Sequence, residues 1–416
     1  MKISAALVDR LRGAVSRERL LDTAVQLVGV PSPTRSAKGA ADCLADILTN
    51  DGFEVERPAA DWPESPAVVA HLRSGKAGQT IQFNGHLDTV HLPFVPPRVS
   101  DGKLYGSGAI DMKGGLAAAV EAIRVLRDTK ILAGGNVLLT AADLHEAPWG
   151  EMGQLKALIR DGHVGDAVLI PEYLSDRLAV MGRGMAIVEV DITRDGIPVH
   201  EVVGGIDQPR VIAAGADLIA RLEQLDERLS DRRHALGDRE SFFIGQVAAG
   251  EIYNQSPTQF KLTGTRRWLP GADVDQVEQQ IHEVIEAVGK RNGIQVHQDF
   301  KRVCDPFELD SQLPLVDDFQ SAYLAVTGKT LPLGSKPFLD DGNLFNSLAG
   351  VPVVVSRPRR LKRSSLRRRS VSRTIGGIPT PPPMARIDAL CVSGVKPLPM
   401  GPRTPTVSPG VRFARW

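Results

Sequence analysis

Residues 84–90 read NGHLDTV and residues 101–115 read DGKLYGSGAIDMKGG. The first stretch continues the apolar run TIQF, which predicts a strand that ends near His86 and Asp88. The second sets Asp111 among glycines, which allow close backbone approach, directly before the helical pattern LAAAVEAIRVL. Strand ends and helix starts of this kind meet at one edge of an α/β sheet. The two stretches therefore predict an α/β fold with a polar site at that edge.

Two further polar clusters follow strand-like runs. Asp143-Leu144-His145-Glu146 comes after NVLLTAA, and Glu172 comes after DAVLIP. A His-x-Asp pair alone is also compatible with a hydrogen-bonded loop. Imidazole and carboxylate groups on four strand ends, however, are typical ligands of zinc, manganese or cobalt. The sequence therefore predicts a metal site.

The order of predicted strands and helices changes in the second half of the chain. From Gly184 the order is strand, helix, strand, strand, helix, strand, which is the βαββαβ unit of ferredoxin-like domains. We therefore predict a mixed-sheet catalytic domain in two segments, 1–182 and 304–355. The ferredoxin-like domain, 183–303, is inserted between them, and 356–416 is predicted to be a basic, low-complexity tail without regular structure.

Composition points to an ordinary globular protein, with 42% hydrophobic and 24% charged residues and a net charge of +1. No apolar run is long enough to cross a membrane, and the first twenty residues do not resemble a signal peptide. Cys43, Cys304 and Cys391 are too few and too widely spaced for a disulfide framework. We expect a cytoplasmic protein without membrane association.

The motifs quoted above resemble those of a known family. NGHLDTV, DGKLYGSGAIDMKGG, the acidic cluster and the strand-end Glu172 are similar to motifs of the dinuclear metallohydrolases that include acetylornithine deacetylase, succinyl-diaminopimelate desuccinylase, aminoacylase and bacterial glutamate carboxypeptidase. The resemblance covers about 17–355. It implies hydrolysis of an amide bond in N-acyl amino acids or small peptides. It also implies one or two Zn²⁺ ions, or Co²⁺ or Mn²⁺, and a homodimer formed through the inserted lid domain.

The resemblance assigns roles to the strand-end residues. His86 corresponds to the imidazole ligand of the first metal, and Asp88 to the carboxylate that orients it. Asp111 corresponds to the carboxylate that bridges both metals, and Glu172 to the remaining ligand of the first metal.

The family's adjacent pair of glutamates is replaced here by His145-Glu146. In the favoured alignment Glu146 is a metal ligand and His145 stands where the general base belongs. A histidine can serve as a base near neutral pH. The other alignment makes Glu146 the base and leaves the second metal without that carboxylate.

Three residues of the inserted domain complete the predicted site. His200 lies in DGIPVHEVVGGIDQP, which resembles the lid motif whose histidine steadies the developing oxyanion. Asn254 and Arg267 lie in NQSPTQFKLTGTRRWLPG, where Arg267 is predicted to bind a substrate carboxylate and Asn254 to line the pocket. Because strand parity is uncertain, Arg266 is an alternative to Arg267.

The resemblance stops near Val355. Family members have a later histidine that completes the second metal site, whereas no histidine follows His297 here. From Ser356 onward there are fourteen basic residues and one acid, against 36 basic and 48 acidic residues before it. A frame shift near codon 355, a genuine disordered tail and a catalytically impaired metal- or peptide-binding homologue all explain this, and we favour the frame shift. Nucleic-acid binding by the tail is disfavoured, because the body is acidic and no aromatic residues interleave with the arginines.

Overall fold

A computed structural model describes residues 3–147, 151–172 and 176–356 of the chain. These residues belong to one unit, Met1–Arg360. The predicted tail lies outside the described residues, apart from Ser356. The predicted boundaries at 182, 303 and 355 stay predictions.

The helices of the described residues are α1 Ala5–Ala14, α2 Arg17–Gly29, α3 Lys38–Asn50, α4 Lys113–Thr129, α5 Gly153–Arg160, α6 Val211–Leu229, α7 Val274–Asn292, α8 Pro314–Thr327 and α9 Gly342–Ala349. Local sequence explains several of their ends. The side chain of Ser16 accepts from the backbone N–H of Arg19 at the start of α2, and Asp273 accepts from Asp275 at the start of α7. Gly293 ends α7 in the left-handed conformation that suits glycine.

The strands fall into a large sheet, a four-stranded sheet and short pairs. Those before residue 183 are β1 Glu54–Glu56, β2 Val68–Arg73, β3 Thr80–His86, β4 Arg98–Ser100, β5 Lys103–Tyr105, β6 Asn136–Ala142, β7 Ala167–Ile170 and β8 Leu178–Gly182. Those after it are β9 Gly184–Thr193, β10 Val199–His200, β11 Arg233–His234, β12 Asp238–Arg239, β13 Ser241–Ala249, β14 Gln255–Ser256, β15 Gln259–Trp268, β16 Gln295–Cys304, β17 Phe307–Glu308, β18 Leu333–Lys336 and β19 Val353–Val355.

The large sheet has the order β1-β2-β6-β3-β7-β19-β8-β17, with β18 paired to β8. Its centre is parallel, because β3 pairs in parallel with both β6 and β7, and β7 does so with β19. The outer pairs β1–β2 and β2–β6 are antiparallel. The sheet is therefore mixed, and the carboxyl ends of four central strands share one edge.

Helices cover both faces of this sheet, as a parallel centre requires. One core joins α2, α3 and α4 to the strands and includes the fully buried Leu27, Leu44, Leu116 and Leu139. A second core lies on the side of α5 and α9. The apolar runs of the sequence form the strands because both of their faces are buried.

The smaller sheet has the antiparallel order β13-β15-β9-β16. Buried and half-buried residues alternate along β9, and its buried set packs against α6 and α7. Together with the chain order βαββαβ, this is the ferredoxin-like arrangement. The predicted fold class, a mixed-sheet domain with an inserted ferredoxin-like domain, is confirmed. Within the described residues, no helix is both long and apolar enough to span a membrane.

Candidate functional site

The candidate site lies at the carboxyl edge of the parallel strands. Strand β3 ends at His86, the loop after β6 carries His145 and Glu146, and Glu172 follows β7. Asp111 precedes α4, which packs against β3. Because β6, β3 and β7 are parallel neighbours, side chains distant in sequence converge at this edge.

His86 is held so that one ring nitrogen faces the site. Its Nδ1 lies 3.0 Å from the backbone oxygen of Asp88 and 3.6 Å from Asp88 Oδ1. A backbone carbonyl only accepts, so Nδ1 carries a proton and donates it. The other nitrogen, Nε2, lies 3.0 Å from Oδ1 of Asp111. Asp88 thus sets the ring orientation that suits a metal ligand.

Asp88 also holds the neighbouring loop in place. Its Oδ2 accepts from Thr34 Oγ1 at 2.8 Å and from the backbone N–H groups of His145 and Glu146 at 3.1 and 2.8 Å. Burial favours the neutral acid, but the hydrogen bond and charge of His86, the charge of His145 and the backbone N–H of Glu146 lower the pKa of Asp88 to about 2. Asp88 therefore couples β3 to the loop that carries His145 and Glu146.

His145 stacks on His86, with ring centroids 4.0 Å apart and planes 2° from parallel. Its Nδ1 lies 2.8 Å from Oδ1 of Asp341, whose Oδ2 accepts from Asn84 Nδ2 at 2.6 Å. Sequence reasoning missed both Asp341 and Asn84. One available signal was the Asp pair in PFLDDGNLF, directly before an apolar helix pattern.

A row of buried polar side chains supports Asp341 from within the sheet. Gln82, Asn84 and His86 alternate along β3 and therefore project from the same face. Gln82 Nε2 donates to Thr140 Oγ1 at 2.7 Å, and Thr140 donates to Asn84 Oδ1 at 2.7 Å. This period-two pattern of polar residues was a second available signal for Asn84.

The ligand set fits a divalent cation. One potential ligand group joins His86, His145 and Glu172, and another joins His86, Asp111 and Glu146, with ligand atoms in each group within 4.8 Å of one another. Within the part of the chain that the structure describes, Glu172 Oε2 is buried without a hydrogen-bond donor. Burial and the nearby Asp340 raise the pKa of Glu172 to about 8. A bound cation would compensate this buried carboxylate.

Beside the site lies a fully buried ion pair. Lys336 Nζ contacts Asp340 Oδ1, and neither side chain is exposed to solvent. Asp340 also accepts from the backbone N–H of Gly342 at the start of α9 at 2.8 Å. The pair anchors the segment that presents Asp341.

Lys113, in the Gly-rich motif, is tied to the scaffold. Its Nζ donates to the backbone oxygen of Val30 at 2.8 Å, and burial lowers its pKa to about 8. The side chain thus links the start of α4 to the end of α2. This bond gives Lys113 a structural role.

The lid residues His200 and Asn254 lie beside one another, with His200 Nε2 2.9 Å from the Asn254 side-chain amide. His200 Nδ1 accepts from the backbone N–H of Val202 at 3.3 Å. His86, Asp111, His145, Glu146 and Glu172 form the strand-end cluster. Within the described ranges, no hydrogen bond or ion pair joins His200 or Asn254 to this cluster. Their predicted site roles therefore stay predictions.

Strand β15 places its two adjacent arginines on opposite faces. Arg266 is fully buried on the helix side, where it pairs with Glu240 at 2.5 Å and with Gln280 at 3.1 Å. Arg267 projects to the other face, near Arg183, and its Nη1 is buried without a hydrogen-bond acceptor among the described residues. This parity favours Arg267 over Arg266 for a substrate carboxylate, but its role stays a prediction.

Two named enzymes are similar to this chain in sequence. Succinyl-diaminopimelate desuccinylase from Methylorubrum extorquens is 41% identical over 118 residues, which are 26% of this chain and 30% of that relative. The chain thus aligns with about 30% of the length of this relative. The enzyme of the same name from Hahella chejuensis is 27% identical over 371 residues, covering 81% of this chain and 88% of that protein.

A solved structure has the same fold. Aminopeptidase PepT from Bacillus cereus ATCC 10987 superimposes with a TM-score of 0.67 and 23% identity, over 83% of this chain and 91% of that one. The family model for peptidase family M20/M25/M40 matches residues 82–363, more than half of the 416 residues. This match includes the whole strand-end cluster and the ferredoxin-like domain. The chain belongs to peptidase family M20/M25/M40.

Proposed function

We propose that this protein is a metal-dependent hydrolase that cleaves an amide bond in N-acyl amino acids or small peptides, as deacetylases, desuccinylases and carboxypeptidases do. The observation that carries the proposal is the convergence of His86, Asp111, His145, Glu146 and Glu172 on one edge of the sheet, where His86 and Glu172 are buried. The names of the relatives, desuccinylase and aminopeptidase, support this substrate class.

In this proposal His86, Asp111 and Glu172 hold a zinc, cobalt or manganese ion. When bound, such an ion supplies Lewis acidity that activates water and polarises the scissile carbonyl. Asp88 keeps the His86 ring in its ligand orientation through the bond to Nδ1. His145 or Glu146 accepts the proton from water and returns it to the leaving amine.

The lid residues would bind the rest of the substrate. His200 would stabilise the developing oxyanion, and Asn254 would line the pocket. The buried Nη1 of Arg267 is a free donor, among the described residues, for a substrate carboxylate. We place the reaction in the cytoplasm.

A second candidate function is a metal- or peptide-binding homologue without catalysis. It is favoured by the lack of any histidine after His297 in the sequence. One bound ion without turnover of any N-acetyl, N-succinyl or dipeptide substrate would favour the binding protein.

Hydrolysis is expected to depend on metal. Dialysis against a chelator should reduce the release of amino acid from N-acetyl, N-succinyl and dipeptide substrates to background. Addition of Zn²⁺, Co²⁺ or Mn²⁺ should restore it, because Lewis acidity contributes several kcal/mol to transition-state stabilisation. Ninhydrin detection of the released amine measures hydrolysis after chelation and after metal addition. Full activity after chelation would contradict the proposal.

We also propose a homodimer formed through the lid domain. Strand β13 is an edge of the four-stranded sheet, and its Phe243 and Val247 are 66% and 48% exposed. Both lie on a strand whose outer edge has no partner strand among the described residues, on either side of a β-bulge between Ile244 and Gln246. An apolar edge of this kind is typical of a protein interface.

The Phe243→Lys variant is expected to weaken the dimer at least about tenfold, since a central aromatic residue at an interface contributes more than about 1.4 kcal/mol. Light scattering after size exclusion, over a concentration series, measures the shift to monomer. Leu324→Lys on α8, where Leu324 is 47% exposed, is the matched control and should leave the dimer intact. Equal effects of the two variants would argue against an interface at β13.

A further inference from the structure

The two stacked imidazoles point to an altered ligand set. We propose that His145 is a metal ligand held by Asp341, and that with His86 and Glu172 it forms a three-residue site for one zinc-class ion per chain. This inference rests on the proposed function, because both require a bound divalent cation. It assigns His145 a role as ligand in place of a role as general base.

The first support is the position of the His145 ring. Its Nδ1 is bound to Asp341 Oδ1 at 2.8 Å, so the nitrogen left for the site is Nε2. The ligand atoms of His86, His145 and Glu172 lie within 4.8 Å of one another. Two imidazoles and one glutamate are a ligand set that catalytic zinc sites use, with the fourth position open to water.

The second support is the likeness between the two imidazoles. In each, Nδ1 faces an aspartate, through the backbone oxygen of Asp88 for His86 and through the carboxylate of Asp341 for His145. Metal-ligating histidines commonly carry such a partner, which fixes the tautomer and raises the basicity of the other nitrogen. Asp341 is itself held by Asn84 at 2.6 Å, so its orientation does not depend on His145 alone.

Geometry argues against a role for His145 as base. One ring nitrogen of His145, Nδ1, is taken by Asp341 Oδ1 at 2.8 Å, and the other would hold the ion together with His86 and Glu172. An imidazole engaged at both nitrogens has no free lone pair to accept a proton from water. This leaves Glu146 as the proton acceptor.

With His145 as a ligand, the metal site needs no histidine from the C-terminal part of the chain. The site of His86, His145 and Glu172 has three protein ligands without any histidine beyond His297. Asp111 remains beside His86, with 3.0 Å between Oδ1 and Nε2, and is available for the same ion.

Metal titration of the full chain tests the assignment. Metal-free protein is titrated with Zn²⁺ against a chromophoric chelator, which reports both stoichiometry and affinity. We expect one tightly bound ion per wild-type chain, and a loss of affinity of at least about 100-fold in His145→Gln. Asp341→Asn, which alters no ligand atom, should lower affinity by about 10–100-fold.

The matched control is Glu56→Gln. Glu56 pairs with the imidazole of His71 at 2.9 Å on the far β1–β2 edge of the sheet, so this variant breaks a similar pair outside the site. Its zinc affinity should equal that of the wild type. Circular dichroism checks folding, and Asp341→Asn keeps the test informative if His145→Gln does not fold.

The outcomes separate the two proposals. Unchanged zinc affinity in both His145→Gln and Asp341→Asn, with turnover lost, would make His145 the base and overturn the inference while the proposed function stands. Absence of zinc binding by the wild-type chain would overturn the proposed function itself. Weakened binding in both variants, with Glu56→Gln unaffected, supports the ligand role.

Discussion

The His86→Ala variant is expected to lower kcat/KM for the best N-acyl amino acid of the panel by at least about 10³-fold, or roughly 4 kcal/mol. His86 belongs to both potential ligand groups, so its loss affects every way in which this site could hold an ion. Steady-state kinetics at saturating Zn²⁺, together with metal analysis of the same sample, measure the effect.

The scaffold around His86 should survive this change. Asp88 keeps its bonds from Thr34 and from the backbone of His145 and Glu146 when the imidazole is removed. The control is His71→Ala, which removes a half-buried imidazole from β2 and should leave kcat/KM within about twofold. If His86→Ala retained wild-type kcat/KM, the reaction would have to occur elsewhere, and the proposed function would be wrong.

The Lys336→Met variant is expected to reduce the free energy of unfolding by about 3–5 kcal/mol. Neither member of the Lys336–Asp340 pair is exposed, so removal of the ammonium group leaves Asp340 as an uncompensated buried charge. Urea unfolding followed by tryptophan fluorescence measures the loss, with chelator present so that metal binding does not contribute.

A double variant separates the lost charge pair from the lost side-chain volume. In Lys336→Met/Asp340→Asn neither charge remains, and the new side-chain amide keeps an oxygen for the backbone N–H of Gly342, from which Asp340 accepts. We expect this variant to recover most of the stability, since uncharged replacements of buried pairs are often nearly neutral. A double variant no more stable than Lys336→Met would mean that packing around Lys336, not charge, sets the loss.

Much of the fold could be predicted from the sequence, because its signals are local. The apolar run TIQF predicts a strand that ends near His86, and β3 runs from Thr80 to His86. Strand β9 alternates buried and half-buried residues, and the order of elements after it predicts the ferredoxin-like domain. Such periodicity depends only on which face of an element is buried.

The candidate site could be predicted only in part. Strand ends and glycines identified His86, Asp111 and Glu172, which the structure places in the potential ligand groups. The bond between His145 and Asp341 joins residues 196 positions apart, so no local pattern contains it. It depends on the parallel pairing of β19 with β7, which positions α9 and the segment before it at the carboxyl edge.

The sequence by itself determined the chemical types at the site and the elements that carry them, because hydrophobic periodicity and chain-breaking residues act over a few positions. Only the tertiary structure decided that His145 stacks on His86 and that Asp341, itself held by Asn84, binds its ring. It also decided that Arg266 lies on the helix side of its sheet and Arg267 on the other face. These outcomes depend on strand order and register. A shift of one residue in register would turn every side chain of a strand to its other face, and long-range packing selects the register that buries the apolar set.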